Sequence, residues 1–398
     1  MKISRMPLPP AYVFFAASRA QAEDALIVSQ QLAAPVWIVP LWPDVLHYVS
    51  TRPLATHVSL ASLATNLPPR FQKLALSVRG RWLISRLAAQ RPVVVFGDDM
   101  NQYQTATIQA AQRLGLPSVL MQDGLLDPYD LDRVVEGPRR VTRYGLAVLR
   151  SLKLLPVFNN RYGMGGCDHV AVYGSSTVDL LSQWGADPAR LHLTGAPRFD
   201  PLFKLAASPF SAARPVVLCL GLLLAERYWG TAEQDRQWLG VLEAAARQFP
   251  GRRFILRPHP SESLDRYRER LHEIGATAVE VRRDDDLYEL LLSSESVVTH
   301  YLTTVLFEAI ILGRPVVFLE SPAAYQRNSF MDDRVVTRLT DWGKLPGTLA
   351  GLSETNPAES READRQAYIG RHFGFQDGAS GQRVAALLSQ VRAHALAH

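Results

Sequence analysis

The chain has 398 residues, 47% hydrophobic and 20% charged, which excludes a disordered protein and exceeds what one ordinary core encloses, so two domains are expected. Its net charge of +5 and pI near 9.2 are a mild basic excess, fitting phosphorylated ligands or an anionic membrane surface as well as nucleic acid. Two cysteines, Cys167 and Cys219, argue against a disulfide framework and for a reducing cytoplasm.

From the N-terminus, Tyr12–Ala17 reads as a buried strand and is too short for a signal segment. A helix through Ala20–Leu32 and a strand Val36–Pro40 follow. The alternation continues with a helix over Arg70–Ala89, the strand Val93–Phe96 closed by Gly97-Asp98-Asp99, a helix over Gln102–Leu114 and the strand Ser118–Met121. Short apolar strands alternating with helices predict a parallel sheet covered on both faces. The pattern changes near 131–160. There Arg133, Arg139, Arg140, Arg143, Arg150 and Lys153 fall between apolar residues at helical spacing. Segment 133–153 therefore reads as a basic amphipathic helix that would lie on an anionic leaflet, grip an acidic acceptor, or simply present a solvated face.

The sheet resumes with strands at His169–Tyr173 and Leu191–Thr194 around a helix over Ser175–Trp184. Residues 201–214 lose periodicity and make the best linker. A second alternation runs from the strand Val216–Leu220 through a helix at Gln234–Gln248 to the strand Phe254–Leu256. It continues with Val297-Val298, a helix starting near Thr303-Thr304, and the strand Pro315–Leu319. The tail from Ser360 is helical, interrupted at 374–378. The expected organisation is an N-terminal domain over 1–205, a C-terminal domain over 206–365, and a helical segment over 366–398 packing back toward the first. No run reaches the roughly 18 apolar residues of a spanning helix. The expected setting is cytoplasmic, with any membrane contact peripheral at the inner face of the plasma membrane.

Four segments carry a resemblance: VLMQDGLLDPY, YGSSTVDLLSQWGADPARLHLTGAPRFDPL, FILRPHPSES and VVTHYLTTVLFEAIILGRPVVF, with FGFQDGASGQRVAALL a weaker fifth. Together they resemble the GT-B glycosyltransferases of bacterial surface-polysaccharide assembly: capsule Kdo transferases, bacterial sialyltransferases and teichoic-acid glycerophosphotransferases. The resemblance implies an α/β fold of two Rossmann-like, doubly wound parallel-sheet domains facing a cleft, with a C-terminal helix. It also implies a metal-independent enzyme without a cofactor. The donor would be a nucleotide sugar (CMP-Kdo, CMP-sialic acid, or a UDP or GDP sugar) and the acceptor a surface glycan or lipid-linked glycan.

The residues have a chemistry of their own. His259 follows a strand between two prolines that stiffen its backbone, so its imidazole can donate to a phosphate or neutralise a leaving nucleotide, with Arg257 supplying charge beside it. Thr303 and Thr304 open a helix whose hydroxyls and backbone N–H groups form an anion site, and Glu308 lies one turn on from Thr304. His300 and Tyr301 end the preceding strand, where they would line the donor pocket. Asp123 ends a strand beside Gly124 and could take an acceptor hydroxyl's proton, predicting inversion at the anomeric carbon. The resemblance implies that His259 binds the donor's nucleotide, that Thr303 and Thr304 hold its phosphate, that Glu308 meets its ribose, and that Asp123 is the catalytic base. Each residue also has an ordinary reading: a strand-end histidine, an N-cap, a surface glutamate, a turn aspartate. Asp98-Asp99 and Asp284–Asp286 read as a strand-end turn and a polar loop, and no metal is assigned.

Gln122 stands where the sialyl and Kdo transferases carry the first of two acids, and Asp123 where the glycerophosphotransferases carry histidine. This mixture leaves two alternatives open besides glycosyl transfer, a CDP-glycerol-type polyol-phosphate transferase and a sugar-nucleotide 2-epimerase. The epimerase implies a site rich in carboxylates on both sides of the cleft, and the sequence displays no such set. A non-catalytic binding module is the remaining reading.

Overall fold

The computed structural model describes residues 9–65, 67–126, 161–206, 216–227, 230–320, 330–354 and 361–397. The basic segment 133–153 therefore lies outside the described residues. The chain divides into two compact units, one of residues 1–200 with 370–398 and one of residues 201–369.

Unit 1 holds a seven-stranded sheet in the order β3-β2-β1-β4-β5-β6-β7, every pair parallel. The strands are β1 (Tyr12–Ala16), β2 (Val36–Pro40), β3 (Val58–Leu60), β4 (Val93–Phe96), β5 (Ser118–Met121), β6 (His169–Val172) and β7 (Leu191–Leu193). The central strands are buried at every position, as uninterrupted apolar runs require when both faces are covered. Helices α1 (Arg19–Ser29), α2 (Pro43–Ser50), α3 (Pro69–Leu87), α4 (Gln102–Arg113) and α5 (Ser175–Gln183) alternate with them. One face packs Phe14, Ile38, Val95 and Val119 against Ala22 and Ala25 of α1. The opposite face packs Val13, Val94, Phe96 and Leu120 against Leu83, Ile84 and Ile108.

Helix α6 (Asp200–Ala206) occupies the first half of the stretch expected to be a linker, because Leu202 and Phe203 find buried positions there. Unit 2 follows with a six-stranded parallel sheet in the order β10-β9-β8-β11-β12-β13. Its strands are β8 (Val216–Gly221), β9 (Arg253–Pro258), β10 (Val279–Val281), β11 (Ser294–Thr299), β12 (Val316–Leu319) and β13 (Val336–Leu339). Its helices are α7 (Ala232–Gln248), α8 (Leu264–Glu273), α9 (Leu287–Ser293), α10 (Thr304–Ile311), α11 (Leu345–Glu354) and, across the unit boundary, α12 (Glu362–Phe373). Trp238, Leu239, Leu242, Phe254, Tyr267 and Val298 are at or near full burial in its core.

The last helix, α13 (Ser380–Ala397), completes unit 1. Its Val384, Leu388 and Val391 join the β1–β2 face of the core. The buried carboxylate of Asp200 accepts from the backbone N–H groups of Ser380 (2.9 Å) and Gly381 (2.7 Å), satisfying two donors that a helix start leaves open.

Candidate active site

In an open parallel sheet, ligands bind beyond the carboxyl ends of the strands where the strand order reverses. In unit 1 that point lies between β1 and β4. The residues just past β1, β4 and β5 are Ala17-Ser18, Gly97-Asp98-Asp99 and Gln122-Asp123-Gly124. Asp123 Oδ2 accepts from Gln21 Nε2 at 2.5 Å and lies 3.5 Å from the Ser18 hydroxyl, the N-cap of α1. Burial raises the Asp123 pKa above the ordinary carboxylate value, opposed by the Gln21 bond, the Arg198 charge and the Ser18 hydroxyl. Gln21 is itself held, its Oε1 accepting from the Ala17 backbone at 2.7 Å.

Gln122 is fully buried and bridges the ends of two strands. Its Nε2 donates to the Gly124 carbonyl (2.6 Å) and its Oε1 accepts from Tyr173 N–H (2.7 Å). A carboxylate here could not donate to Gly124, so an amide suits this position.

The fold gathers a carboxylate set that sequence reasoning missed. Asp98, set aside as a turn residue, has its pKa raised first by burial and further by the nearby Asp123 charge. Its side chain is oriented by the Met100 N–H (2.7 Å) and the Asn101 amide. Asp99 is fully buried and pushed up to about 6 by burial, although Gly163 N–H (3.1 Å) and Gly165 N–H (2.6 Å) favour its charge. Asp24, also fully buried, is pushed up to about 7 by burial, with Arg198 opposing and Asp123 and Glu23 adding to the rise. Asp24 accepts from the Arg198 backbone at 2.8 Å. Strand order, invisible in a local reading, brings the ends of β4 and β5 together, and all of these carboxylates belong to unit 1.

In unit 2 the order reverses between β8 and β11. Past β9, His259 opens a β-turn closed by Glu262 N–H on its carbonyl (2.9 Å), with Pro260 at the second position. The His259 N–H bonds the Gly221 carbonyl at the end of β8 (3.0 Å). The ring's Nδ1 accepts from Ser261 N–H at 3.2 Å and lies 2.7 Å from its hydroxyl. In the neutral ring the proton therefore sits on Nε2, making that nitrogen the donor. Past β11, Thr303 caps α10, its hydroxyl receiving Val305 N–H at 3.4 Å. Thr304 is exposed and Glu308 half-buried.

Two further expected site residues, His300 and Arg257, are held by backbone carbonyls. His300 is 1% exposed. Its Nε2 meets the Leu222 carbonyl at 2.8 Å and its ring lies against Trp238, with centroids 4.2 Å apart. Burial lowers its pKa to about 3, so it is a neutral core histidine and not a pocket wall. Arg257 donates to the Asp285 carbonyl at 2.7 Å and so braces the aspartate loop. Within that loop Asp286 caps α9, accepting from Tyr288 N–H at 2.9 Å and Glu289 N–H at 3.0 Å.

Among the described residues, no group of three or more His, Cys, Asp or Glu side chains is arranged to hold a metal. A cavity of about 740 Å³ opens near the amino ends of β5 and β6, beside His169, His192 and His394. It lies at the end of the strands opposite the carboxylates.

No family model matches the sequence, and no curated protein matches it. Solved structures do. A Listeria monocytogenes protein assigned as a UDP-N-acetylglucosamine 2-epimerase matches with a TM-score of 0.65 at 14% identity, over 96% of each chain. The UDP-GlcNAc 2-epimerase from Neisseria meningitidis, bound to UDP-GlcNAc, gives 0.62 at 14% identity over 95% of this chain and 99% of its own. A glycosyltransferase from Rickettsia africae gives 0.57 at 12% identity over 96% and 97%. The two sheets are those of the GT-B fold. Within that fold, the carboxylates of unit 1 and the His259 and Thr303 termini of unit 2 stand at the two switch points.

Proposed function

We propose that the chain is a nucleotide-sugar enzyme that binds the nucleotide through unit 2 and moves protons with the carboxylates of unit 1. The observation that carries this reading is Asp123: a half-buried carboxylate at a switch point, held by Gln21 Nε2 and beside the Ser18 hydroxyl, with its pKa raised by burial. The epimerases and the glycosyltransferase that share the fold, one holding UDP-GlcNAc, support a UDP sugar as substrate.

The leading reaction is inverting glycosyl transfer. Asp123 takes the acceptor hydroxyl's proton as its oxygen bonds to the anomeric carbon, and the nucleotide leaves with the electrons of the broken bond. His259 Nε2–H and the amino end of α10, with the Thr303 and Thr304 hydroxyls, receive the charge that grows on the leaving phosphate. Glu308 takes the ribose hydroxyls. A surface-glycan acceptor rests on the sequence resemblance alone. Polyol-phosphate transfer is less well supported, because aspartate at position 123 replaces the histidine of that pattern.

One observation favours a second reading. Asp98 beside Asp123 gives two interacting carboxylates, and inverting a sugar at C2 needs groups that remove a proton and return one. The test incubates the chain with UDP-GlcNAc alone in D2O and follows the sugar by NMR. Deuterium entering at C2 without any acceptor identifies an epimerase. Unexchanged sugar, with a thermal shift on adding UDP, favours transfer. Absence of a shift with CMP, CDP, UDP and GDP alike would sink the nucleotide reading.

A further inference from the structure

Helix α3 is apolar on two sides. Its inner side buries Leu76, Leu83, Ile84 and Leu87 in the core of unit 1. Its outer side exposes Phe71 (49%), Leu74 (56%), Val78 (50%) and Trp82 (46%). These four recur at spacings of three, four and four residues, so they form one stripe along the helix. Leu67, just before the helix, is also exposed (41%). Monomer surfaces scatter single apolar residues, whereas a contiguous stripe of this kind marks a contact surface.

The charge around the stripe is one-sided. Between Asp44 and Asp98 the chain carries seven arginines and lysines and no acidic residue, more positive charge than the whole protein's net +5. Five of the seven, Arg70, Lys73, Arg79, Arg81 and Arg86, lie in α3. Lys73, Arg79, Arg81 and Arg86 are exposed, and among the described residues none of them forms an ion pair with a carboxylate. The Arg86 guanidinium lies over the Trp82 ring at 5.4 Å.

We propose that α3 is a docking surface for an anionic lipid bilayer. Phe71, Leu74, Val78 and Trp82 enter the interface between headgroups and acyl chains, while Arg79, Arg81 and Arg86 at the sides of the stripe meet the headgroup phosphates. Charge decides against the obvious rival, a second copy of the chain. An isologous contact through this helix would set its cations against the same cations of its partner, with no acid in either helix to answer them. The proposal concerns α3 alone and is independent of the reaction assigned above.

The test is flotation with vesicles of phosphatidylglycerol and phosphatidylethanolamine, against vesicles of phosphatidylcholine alone. The full-length chain is expected to float with the anionic vesicles and to be released by high salt. The exposed-site double variant Leu74→Ser/Trp82→Ser should lose at least about tenfold in partitioning while keeping the wild-type melting temperature. The charge variant Arg81→Glu/Arg86→Glu should lose binding specifically to the anionic vesicles. Three results would overturn the proposal: no flotation with anionic vesicles, flotation that both variants retain in full, or a dimer by light scattering that Leu74→Ser/Trp82→Ser dissociates.

Discussion

Gln122 carries no charge where the resembling transferases carry the first of two acids, and its surroundings explain why. Its amide donates to Gly124 and accepts from Tyr173 inside a fully buried site. Replacing it by glutamate keeps the acceptor but loses the donor unless the acid stays protonated. Gln122→Glu should therefore cost about 1–3 kcal/mol of stability near neutral pH and less at pH 5. Urea denaturation at the two pH values measures this, and a pH-independent loss would mean the bridge is not the cause. The neighbouring Asp123 tests the chemistry. Asp123→Asn keeps the size of the side chain and removes the base, so turnover should fall by roughly 10²–10⁴-fold. The thermal shift produced by nucleotide should persist, because nucleotide contacts are assigned to unit 2. His259→Ala should do the reverse and abolish that shift. In the wild type, the acidic limb of the rate profile should lie above the ordinary carboxylate pKa, since burial raises Asp123.

At the scale of elements, close packing of α3 on α4 turns a usual rule around. Alanine for glycine inside an exposed helix normally stabilises by about 1 kcal/mol. A Cβ at Gly80 would stand only 2.3 Å from the Thr107 hydroxyl, which itself bonds the Tyr103 carbonyl at 2.8 Å. Gly80→Ala should therefore destabilise by about 1–3 kcal/mol through overpacking. A rise in the melting temperature would show that the helices separate freely. The same distinction between local and non-local information governs what the sequence disclosed. β1, β2, β4, β5 and β8 were legible because they are continuous buried apolar runs. The short strands β3, β10 and β13 were not, because their mixed polar and apolar residues are half-exposed toward the sheet edges. His259 and Asp123 could be picked from strand-end position and neighbouring prolines or glycine. The closeness of Asp98 to Asp123 could not, because it depends on β4 and β5 being neighbours. His300 misled for the converse reason: a polar residue at a strand end looks available, yet Trp238 and the Leu222 carbonyl enclose it.

Over the whole molecule, two buried groups bind protons in opposite senses. His300, in unit 2, has its folded pKa lowered to about 3 by burial. Below the unfolded value of about 6.5 the unfolded chain takes up a proton that the native chain refuses. Its contribution is complete above that value and is lost as pH falls through the window. Asp24, in unit 1, has its folded pKa raised to about 7 by burial. From about 3.9 upward the unfolded chain ionises while the native chain holds its proton, so this contribution is lost as pH rises toward 7. Near pH 5 each effect approaches about 1.4 kcal/mol per pH unit, with opposite sign, and by pH 6.5 the His300 slope has fallen to about half of that. If the units unfold in one transition, the two largely cancel and the wild-type profile is shallow. His300→Gln, whose amide can still donate to Leu222, then leaves the Asp24 effect, and stability falls as pH rises. Asp24→Asn leaves the His300 effect, and stability rises with pH. If the units unfold separately, each transition carries its own slope in the wild type and each variant flattens one of them. Calorimetry at pH 5, 5.8 and 6.5 distinguishes these cases, and variant profiles running parallel to the wild type would show that neither proton is linked to folding.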